Sequence, residues 1–136
     1  MIRLMPLFLW MLLAPASVAL AAEQPEQAYE GTQEAGGIVI LSVRDEPAQI
    51  VLFEIDGVAG GGCSWDTITL ANWSGPIDVV DDRFSVTNLG GDTLEGSWVS
   101  REPANTRIEG TIQVRDPAKG CETPPLRWVA TAVPHP

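Results

Sequence analysis

The sequence contains a single histidine, His135, which lies between two prolines near the carboxyl end of the chain. Hydrolases with a Ser-His-Asp or Cys-His site need a histidine base that a rigid shell holds within hydrogen-bond reach. A histidine in such a terminal stretch is poorly suited to that role. We therefore expect no catalysis of this kind, and the sequence favours a protein that is not an enzyme.

Basic residues are also scarce. The chain has 8 lysines and arginines against 18 aspartates and glutamates, which gives a formal net charge of −10. Proteins that bind nucleic acid or an anionic membrane surface carry clustered Lys and Arg, and no such cluster occurs here. The composition predicts no nucleic-acid partner and favours solubility or a cationic partner.

Long apolar runs are absent except for one, at residues 4–13, which follows Arg3 and ends in small residues. A run of this length is too short to span a bilayer, which requires ~20 residues. Small residues at Ala19 and Ala21 fit a cleavage site after Ala21, and cleavage after Ala22 fits nearly as well. The pattern predicts a signal peptide at residues 1–21, a secreted or periplasmic product, and no membrane insertion after cleavage.

Only two cysteines occur, Cys63 and Cys121. Two thiols are too few for a structural zinc site, and they do not form a Cys-x-x-Cys redox pair. In an exported chain the simplest interpretation is one disulfide between them, because an oxidising compartment allows the bond to persist. No cofactor is predicted.

Composition divides the remaining chain into two parts. Residues 22–36 are polar and acidic with almost nothing apolar to bury, which predicts a disordered linker. From residue 37 to residue 133, short runs rich in Val, Ile, Thr and Trp alternate with Gly, Pro, Asp and Asn at intervals of roughly 8 to 12 residues. This second part has the size of a single domain.

The periodicity of this domain is that of strands. Residues 106–114 alternate apolar and polar side chains, and residues 92–100 and 126–133 do the same, which predicts strands with one buried face. No window shows the helical i, i+3, i+4 pattern. Further strands are expected at residues 38–43, 49–55, 65–70, 76–79 and 83–87. The predicted fold is an all-β, antiparallel β-sandwich of about eight strands.

Turns are predicted at Asp56-Gly57, at residues 60–62, at Asp81-Asp82 and at residues 90–92. Gly96 and Gly110 fall on the apolar faces of their strands, where a missing side chain leaves space. We expect the indoles of Trp98 and Trp128 to fill that space.

The second half of the chain, with Cys63, Pro76-Ile77, the Asp82-Arg83-Phe84-Ser85 turn, the paired glycine strands, Cys121 and residues 126–130, resembles an uncharacterised class of bacterial exported β-sandwich modules with one disulfide. The resemblance covers residues 38–130, and its motifs are structural. It implies the fold and the disulfide, and it implies no activity and no site residue. The stiff segment Glu122-Thr123-Pro124-Pro125 departs from the Gly-rich link of that class.

Three carboxylates, Asp78, Asp81 and Asp82, lie close together and are a weak candidate for calcium. Their spacing matches no EF-hand loop, so we interpret them mainly as turn residues whose side chains bond nearby backbone amides. The same carboxylates are a remote candidate for a glycosidase pair.

Four of the five tryptophans follow the predicted signal peptide, and exposed indoles stack on sugar rings. Trp65, which follows the triple glycine, and Trp73, which lies among polar residues, are the candidates for such a site. The alternative for both is core packing. The triplet Asn72-Trp73-Ser74 also fits the acceptor pattern for N-glycosylation.

These observations favour an exported, non-enzymatic module. We expect it to bind a protein or surface component through loops at one end of the sandwich, around residues 60–62, Trp73 and residues 90–91, because rigid sandwiches carry recognition on their loops. The alternatives are a carbohydrate-binding module that uses exposed tryptophan, and a structural or assembly protein.

Overall fold

The computed structural model describes residues 26–102 and 106–134. The predicted signal peptide, residues 22–25 of the predicted linker and His135 lie outside this part of the chain. The described residues form eleven strands and one turn of 3-10 helix, Leu70–Trp73. The strands are β1 Glu26–Gln33, β2 Ile38–Asp45, β3 Ala48–Gly60, β4 Cys63–Thr69, β5 Ile77–Asp78, β6 Arg83–Thr87, β7 Thr93–Ser100, β8 Arg107–Gln113, β9 Arg115–Asp116, β10 Cys121–Glu122 and β11 Leu126–Ala132.

Nine strands form one antiparallel sheet in the order β4-β3-β2-β1-β11-β8-β7-β6, and β5 pairs with β3 at the same edge as β4. Strands β9 and β10 form a separate two-stranded sheet. The predicted class, an all-β antiparallel fold with one disulfide, is confirmed. All the predicted strand segments of the domain are occupied by strands, and β6 has the predicted bounds.

The large sheet is strongly curled, and its concave side encloses the core. Phe53 on β3 contacts Trp128 on β11 with ring centroids 5.9 Å apart, although two strands lie between them in the sheet. The two edges of the sheet also come close together, because Val80, just after β5 at one edge, forms a bridge with Arg83, the first residue of β6 at the other edge. The concave side is therefore lined with apolar residues from both halves of the chain. Its fully buried members include Val39, Leu41, Ile50, Phe53, Ile55, Val58, Leu94, Ile108 and Ile112.

The prediction of a disordered linker at residues 22–36 is wrong for the part that the structure describes. Residues 26–33 are β1, which lies between β2 and β11 in the middle of the sheet. Its inward positions alternate as a strand requires, with Tyr29 and Gln33 buried. Gln33 replaces an apolar residue there because its Nε2 donates to Asp56 O and Gly57 O, each at 3.0 Å, so that its buried amide is satisfied.

The predicted turn at Asp56-Gly57 is also wrong, because both residues lie inside β3. Gly57 has a φ of 63°, which is accessible to glycine without strain. On either side of it, Ile55 and Val58 both face the core, so the inward face of β3 changes its parity at this point. The predicted turns at residues 60–62 and at Asp81-Asp82 are confirmed. The first joins the paired strands β3 and β4, and the second reverses the chain between Val80 and Arg83.

The prediction about the paired glycines is confirmed for Trp128 and wrong for Trp98. A Cβ added at Gly110 would lie 2.5 Å from Trp128 Cζ2, and one added at Gly96 would lie 2.6 Å from Phe84 Cζ and 3.0 Å from Trp128 Cη2. Trp98 instead stands edge-on to Tyr29, and its Nε1 donates to the Tyr29 hydroxyl at 3.1 Å. Phe84 has the role that we expected of Trp98.

Candidate functional site at the loop end

The disulfide joins the first residue of β4 to the first residue of β10. Cys63 and Cys121 are bonded, with their Cα atoms 5.9 Å apart, and this confirms the predicted pair. The bond fixes the tip of the β3–β4 hairpin, Gly61-Gly62, to the small β9–β10 sheet. A Cβ at Gly61 would collide with the backbone oxygen of Glu122, so only glycine allows this close approach.

Trp73 is buried, with 7% of its surface exposed, so the prediction that it offers an indole to sugars is wrong. The 3-10 turn points its ring inward, edge-on to Phe53 at 6.4 Å, while its neighbours Asn72 and Ser74 stay exposed. Its Nε1 donates to Asp92 O at 2.9 Å. Trp73 therefore ties the 3-10 turn to the β6–β7 link from inside.

Asp92 is the centre of a hydrogen-bond network that sequence reasoning missed. Its Oδ2 accepts from Asn72 Nδ2 at 3.1 Å and from Asn88 Nδ2 at 3.2 Å, and its Oδ1 accepts from the backbone N–H of Arg115 at 2.8 Å. Asn88 closes the link in return, because its Oδ1 accepts from Asp92 N at 2.8 Å. A side chain with three acceptor bonds to three segments holds those segments in one arrangement.

The network continues to the disulfide through Arg115. The guanidinium of Arg115 lies against Gly91, and its Nε donates to Glu122 Oε1 at 3.1 Å. Glu122 follows Cys121 in β10. The structure thus brings together the three loop regions named from the sequence, and it adds the β9–β10 hairpin. We call this assembly the loop end, defined as residues 60–62, 70–75, 88–92 and 115–122.

At the tip of the β6–β7 link, Leu89 is fully exposed. The link that carries it is closed by backbone bonds from Asn88 N to Asp92 O and from Gly91 N to Asn88 O, each at 3.0 Å. These hydrogen bonds fix the backbone of the link, so that Leu89 projects from a defined position before any partner binds. Leu89 is the exposed apolar residue of the loop end.

Trp65 keeps part of its predicted exposure. It lies on β4 opposite Val58 and packs against the core while remaining half-buried. Asn72, in the predicted glycosylation triplet, is exposed, and its amide already donates to Asp92. Of the two tryptophans proposed for ligand binding, only Trp65 offers a partly free ring.

The three aspartates proposed for calcium are not gathered into a site. Asp78 Oδ1 accepts from Gln49 Nε2 at 2.9 Å, and Asp82 forms an ion pair with Arg101. Asp81 and Asp82 have φ of 53° and 58° and make the turn between Val80 and Arg83. Within residues 26–102 and 106–134, no group of three His, Cys, Asp or Glu side chains is arranged to hold a metal ion.

A depression of about 540 Å³ on the outer surface lies over β1, β11 and β8. Its two carboxylates are already engaged, because Glu109 pairs with Arg107 at 2.5 Å and Glu34 Oε1 accepts from the backbone N–H of Arg127 at 2.9 Å. Residues that line it also include Thr32, Thr111, Arg127 and Val129. Among residues 26–102 and 106–134, no helix has the length and apolarity needed to cross a membrane.

Comparisons with protein-family models, with curated proteins and with solved structures find no match to this chain. The resemblance to exported single-disulfide modules therefore stays a prediction.

Proposed function

We propose that this protein is an exported, non-enzymatic module that binds a protein or surface component through its loop end. The observation that carries the proposal is the placement of Leu89. Its side chain is fully exposed at the tip of a link that Asp92, Asn88 and Trp73 hold rigid. Rigid presentation lowers the entropy cost of association, and full burial of an exposed leucine side chain in an interface is favourable by roughly 1.5–3 kcal/mol.

An extracytoplasmic location supports the same function. The disulfide between Cys63 and Cys121 persists in oxidising compartments, and the apolar run at residues 4–13 has the form of a signal peptide. We expect the product isolated from outside the cytoplasm to begin at residue 22 or 23. Amino-terminal sequencing of that product tests this expectation directly.

A carbohydrate-binding role is the second candidate, and the half-exposed ring of Trp65 beside the Gly61-Gly62 tip favours it. If sugars stack on this ring, polysaccharides will shift the tryptophan fluorescence of the wild type and leave that of Trp65→Ala unchanged.

Site-specific photo-crosslinking tests the proposal. A photoreactive amino acid at position 89 is expected to give a discrete crosslinked protein in the producing cell, identified by mass spectrometry. Val80 provides the matched control, because it is 67% exposed and lies at the opposite end of β6. Crosslinks that are absent at position 89, or equal at positions 89 and 80, would count against binding through the loop end.

A further inference from the structure

Two depressions on the outer face of the sheet join into one groove. The depression over β1, β11 and β8 and a second one of about 520 Å³, over β8, β7 and β6, share Glu109, Gly110 and Thr111. Five neighbouring strands therefore line a single groove that crosses them. With strands about 4.8 Å apart, this groove extends over roughly 19 Å. We call it the transverse groove and define it as residues 32–34, 127–129, 109–111, 95–97 and 83–85.

The register of the strands sets the floor and the walls of the transverse groove. On each strand the middle residue of the three faces the core, so its backbone forms the floor, and the two flanking side chains project outward. One wall is the row of paired residues Thr32, Val129, Glu109, Ser97 and Arg83. The other wall consists of Glu34, Arg127, Thr111, Glu95 and Ser85. Both walls are polar except at Val129.

The carboxylates of the walls are already engaged within the chain. Glu34 accepts from a backbone N–H, and Glu109 is in an ion pair. Glu95 Oε1 accepts from the hydroxyl of Thr111 at 3.1 Å. Any further ligand of the groove must therefore be bound mainly by its other polar groups.

The two arginines of the walls are not engaged. Both are exposed, and neither guanidinium makes an ion pair or a hydrogen bond to the part of the chain that the structure describes. The other arginines that line or flank the sheet pair with carboxylates, as Arg101 and Arg107 do. In a chain with 18 acidic and 8 basic residues, two unpaired guanidiniums in one groove indicate a site that takes its acceptors from a ligand. These two are Arg83 and Arg127.

We infer that the transverse groove is a second binding site, separate from the loop end, for a linear polysaccharide that carries widely spaced carboxylates. Arg83 and Arg127 pair with carboxylates of the polysaccharide. The wall hydroxyls of Thr32, Ser85 and Ser97, which make no hydrogen bond among the described residues, bond to sugar hydroxyls between those two points. This site goes beyond the proposed function and does not depend on it.

The charge of the groove limits the charge density of its ligand. Arg127 and Arg83 lie three strands apart, which is about 14 Å. The lining between and around them holds four carboxylates and three guanidiniums. A nucleic-acid strand carries a phosphate about every 3.4 Å and would face these carboxylates at most strands. A polymer with neutral sugars between its carboxylates places negative charge at the arginines and hydroxyls elsewhere.

An extended peptide fits the groove less well. Strands β11, β8 and β7 are paired on both sides, so the floor offers no free main-chain groups for strand addition. Peptide and protein interfaces are anchored by large apolar side chains in pockets, and Val129 is the only apolar residue of the two walls. The lining therefore favours a ligand whose contacts are hydrogen bonds and ion pairs along its whole length.

Affinity electrophoresis in native gels tests the inference, with hyaluronan as the probe because every second sugar carries a carboxylate. We expect hyaluronan to retard the wild type at low ionic strength and neutral dextran to leave it unchanged. Arg83→Gln and Arg127→Gln should each lower the affinity by roughly tenfold, because each removes a charge-assisted hydrogen bond. Lys119→Gln is the matched control, since it removes the same charge from an exposed side chain outside the groove.

Blocking the groove gives a second readout without a change of charge. Ser97→Phe places a ring between Glu109 and Arg83 and should abolish retardation. Ser42→Phe, on the outer face of β2, is its control and should bind like the wild type. Thermal unfolding of each variant establishes that it is folded.

The possible outcomes separate this site from the others. Absence of retardation, or retardation that survives in both arginine variants, would overturn the inference. Equal retardation by dextran would show that the arginines do not select the ligand, and equal retardation by polyglutamate would show that a peptide is bound instead; both are contrary results. Binding that is lost in Trp65→Ala and kept in the arginine variants assigns sugars to Trp65. Crosslinking at position 89 tests the loop end independently of all these results.

Discussion

The indole of Trp128 and the phenyl ring of Phe84 lie 6.1 Å apart, tilted by 31°, although β8 and β7 separate their strands in the sheet. They meet because the two residues that lie between them across the sheet are glycines, which have no side chains to separate the rings. Trp128 pairs with Gly110, Gly110 with Gly96, and Gly96 with Phe84. The two rings lean over the two glycines from opposite sides and cover them.

Filling this row should destabilise the fold. Gly110→Ala places a methyl group 2.5 Å from Trp128 Cζ2 and also against the backbone of β7, so we expect a loss of roughly 1–3 kcal/mol or more in the free energy of unfolding. Urea denaturation measures it. Gly90→Ala is the matched control, because its nearest neighbour is 3.5 Å away, and it should change stability little. Equal stability of the two variants would contradict the packing described for Trp128.

The disulfide should stabilise the protein through the loop that it closes, which has a sequence separation of 58. The double variant Cys63→Ser/Cys121→Ser is expected to lose about 4 kcal/mol, the value that the chain-entropy model gives for a loop of this length. Because this model places the effect in the unfolded chain, amides that exchange only by global unfolding should speed up by a similar factor in all strands. Amides beside Cys63 and Cys121 should speed up further, because the hairpin tip is then no longer joined to the β9–β10 sheet. An increase confined to the amides beside the two cysteines would contradict the chain-entropy account.

Asp92 should matter more than its position on the surface suggests. Asp92→Ala removes the acceptors for Asn72, Asn88 and the Arg115 N–H, and we expect a loss of about 1–2 kcal/mol, because the site is partly exposed to solvent. Thermal or chemical denaturation measures the change. Asp66→Ala is the control, since Asp66 is exposed and accepts no hydrogen bond from the described residues.

The buried amide of Gln33 gives a test of β1. Gln33→Leu conserves much of the volume and leaves the carbonyls of Asp56 and Gly57 without their donor, so we expect a loss of roughly 1–3 kcal/mol in stability. Gln27→Leu, on the same strand but only partly buried, should cost less. A neutral Gln33→Leu would mean that water replaces the lost donor.

The strands that alternation predicted well are those with a simple division of faces. In β8, Ile108 and Ile112 face the core while Arg107 and Glu109 face water, so the apolar and polar residues of the sequence match the buried and exposed faces of the strand. The structure bears out β7 and β11 in the same way. Local periodicity is sufficient wherever burial is achieved by apolar residues at every second position.

Two failures have a common physical origin. β1 buries Gln33 through hydrogen bonds to backbone carbonyls of β3, and Trp73 is buried at the end of a 3-10 turn although its neighbours Asn72 and Ser74 are polar and exposed. In both places the decisive contacts are long-range, with Gln33 bound to residues 56 and 57 and Trp73 bound to Asp92. Composition could not reveal them. Three regions of the loop end were predicted from the sequence, and the structure adds the β9–β10 hairpin and the network of Asp92 that joins these segments.

Because β1 lies between β2 and β11, the first of the described strands to be synthesised pairs with the last. β1 is made first among the described strands and one of its two neighbours is made last, so the middle of the sheet stays open until residues 126–132 have emerged. A chain that stops after β8 would lose more than an outer strand. It would leave one group of five strands, β1 to β5, and one group of three, β6 to β8, with unpaired edges at β1 and β8, and such edges promote aggregation.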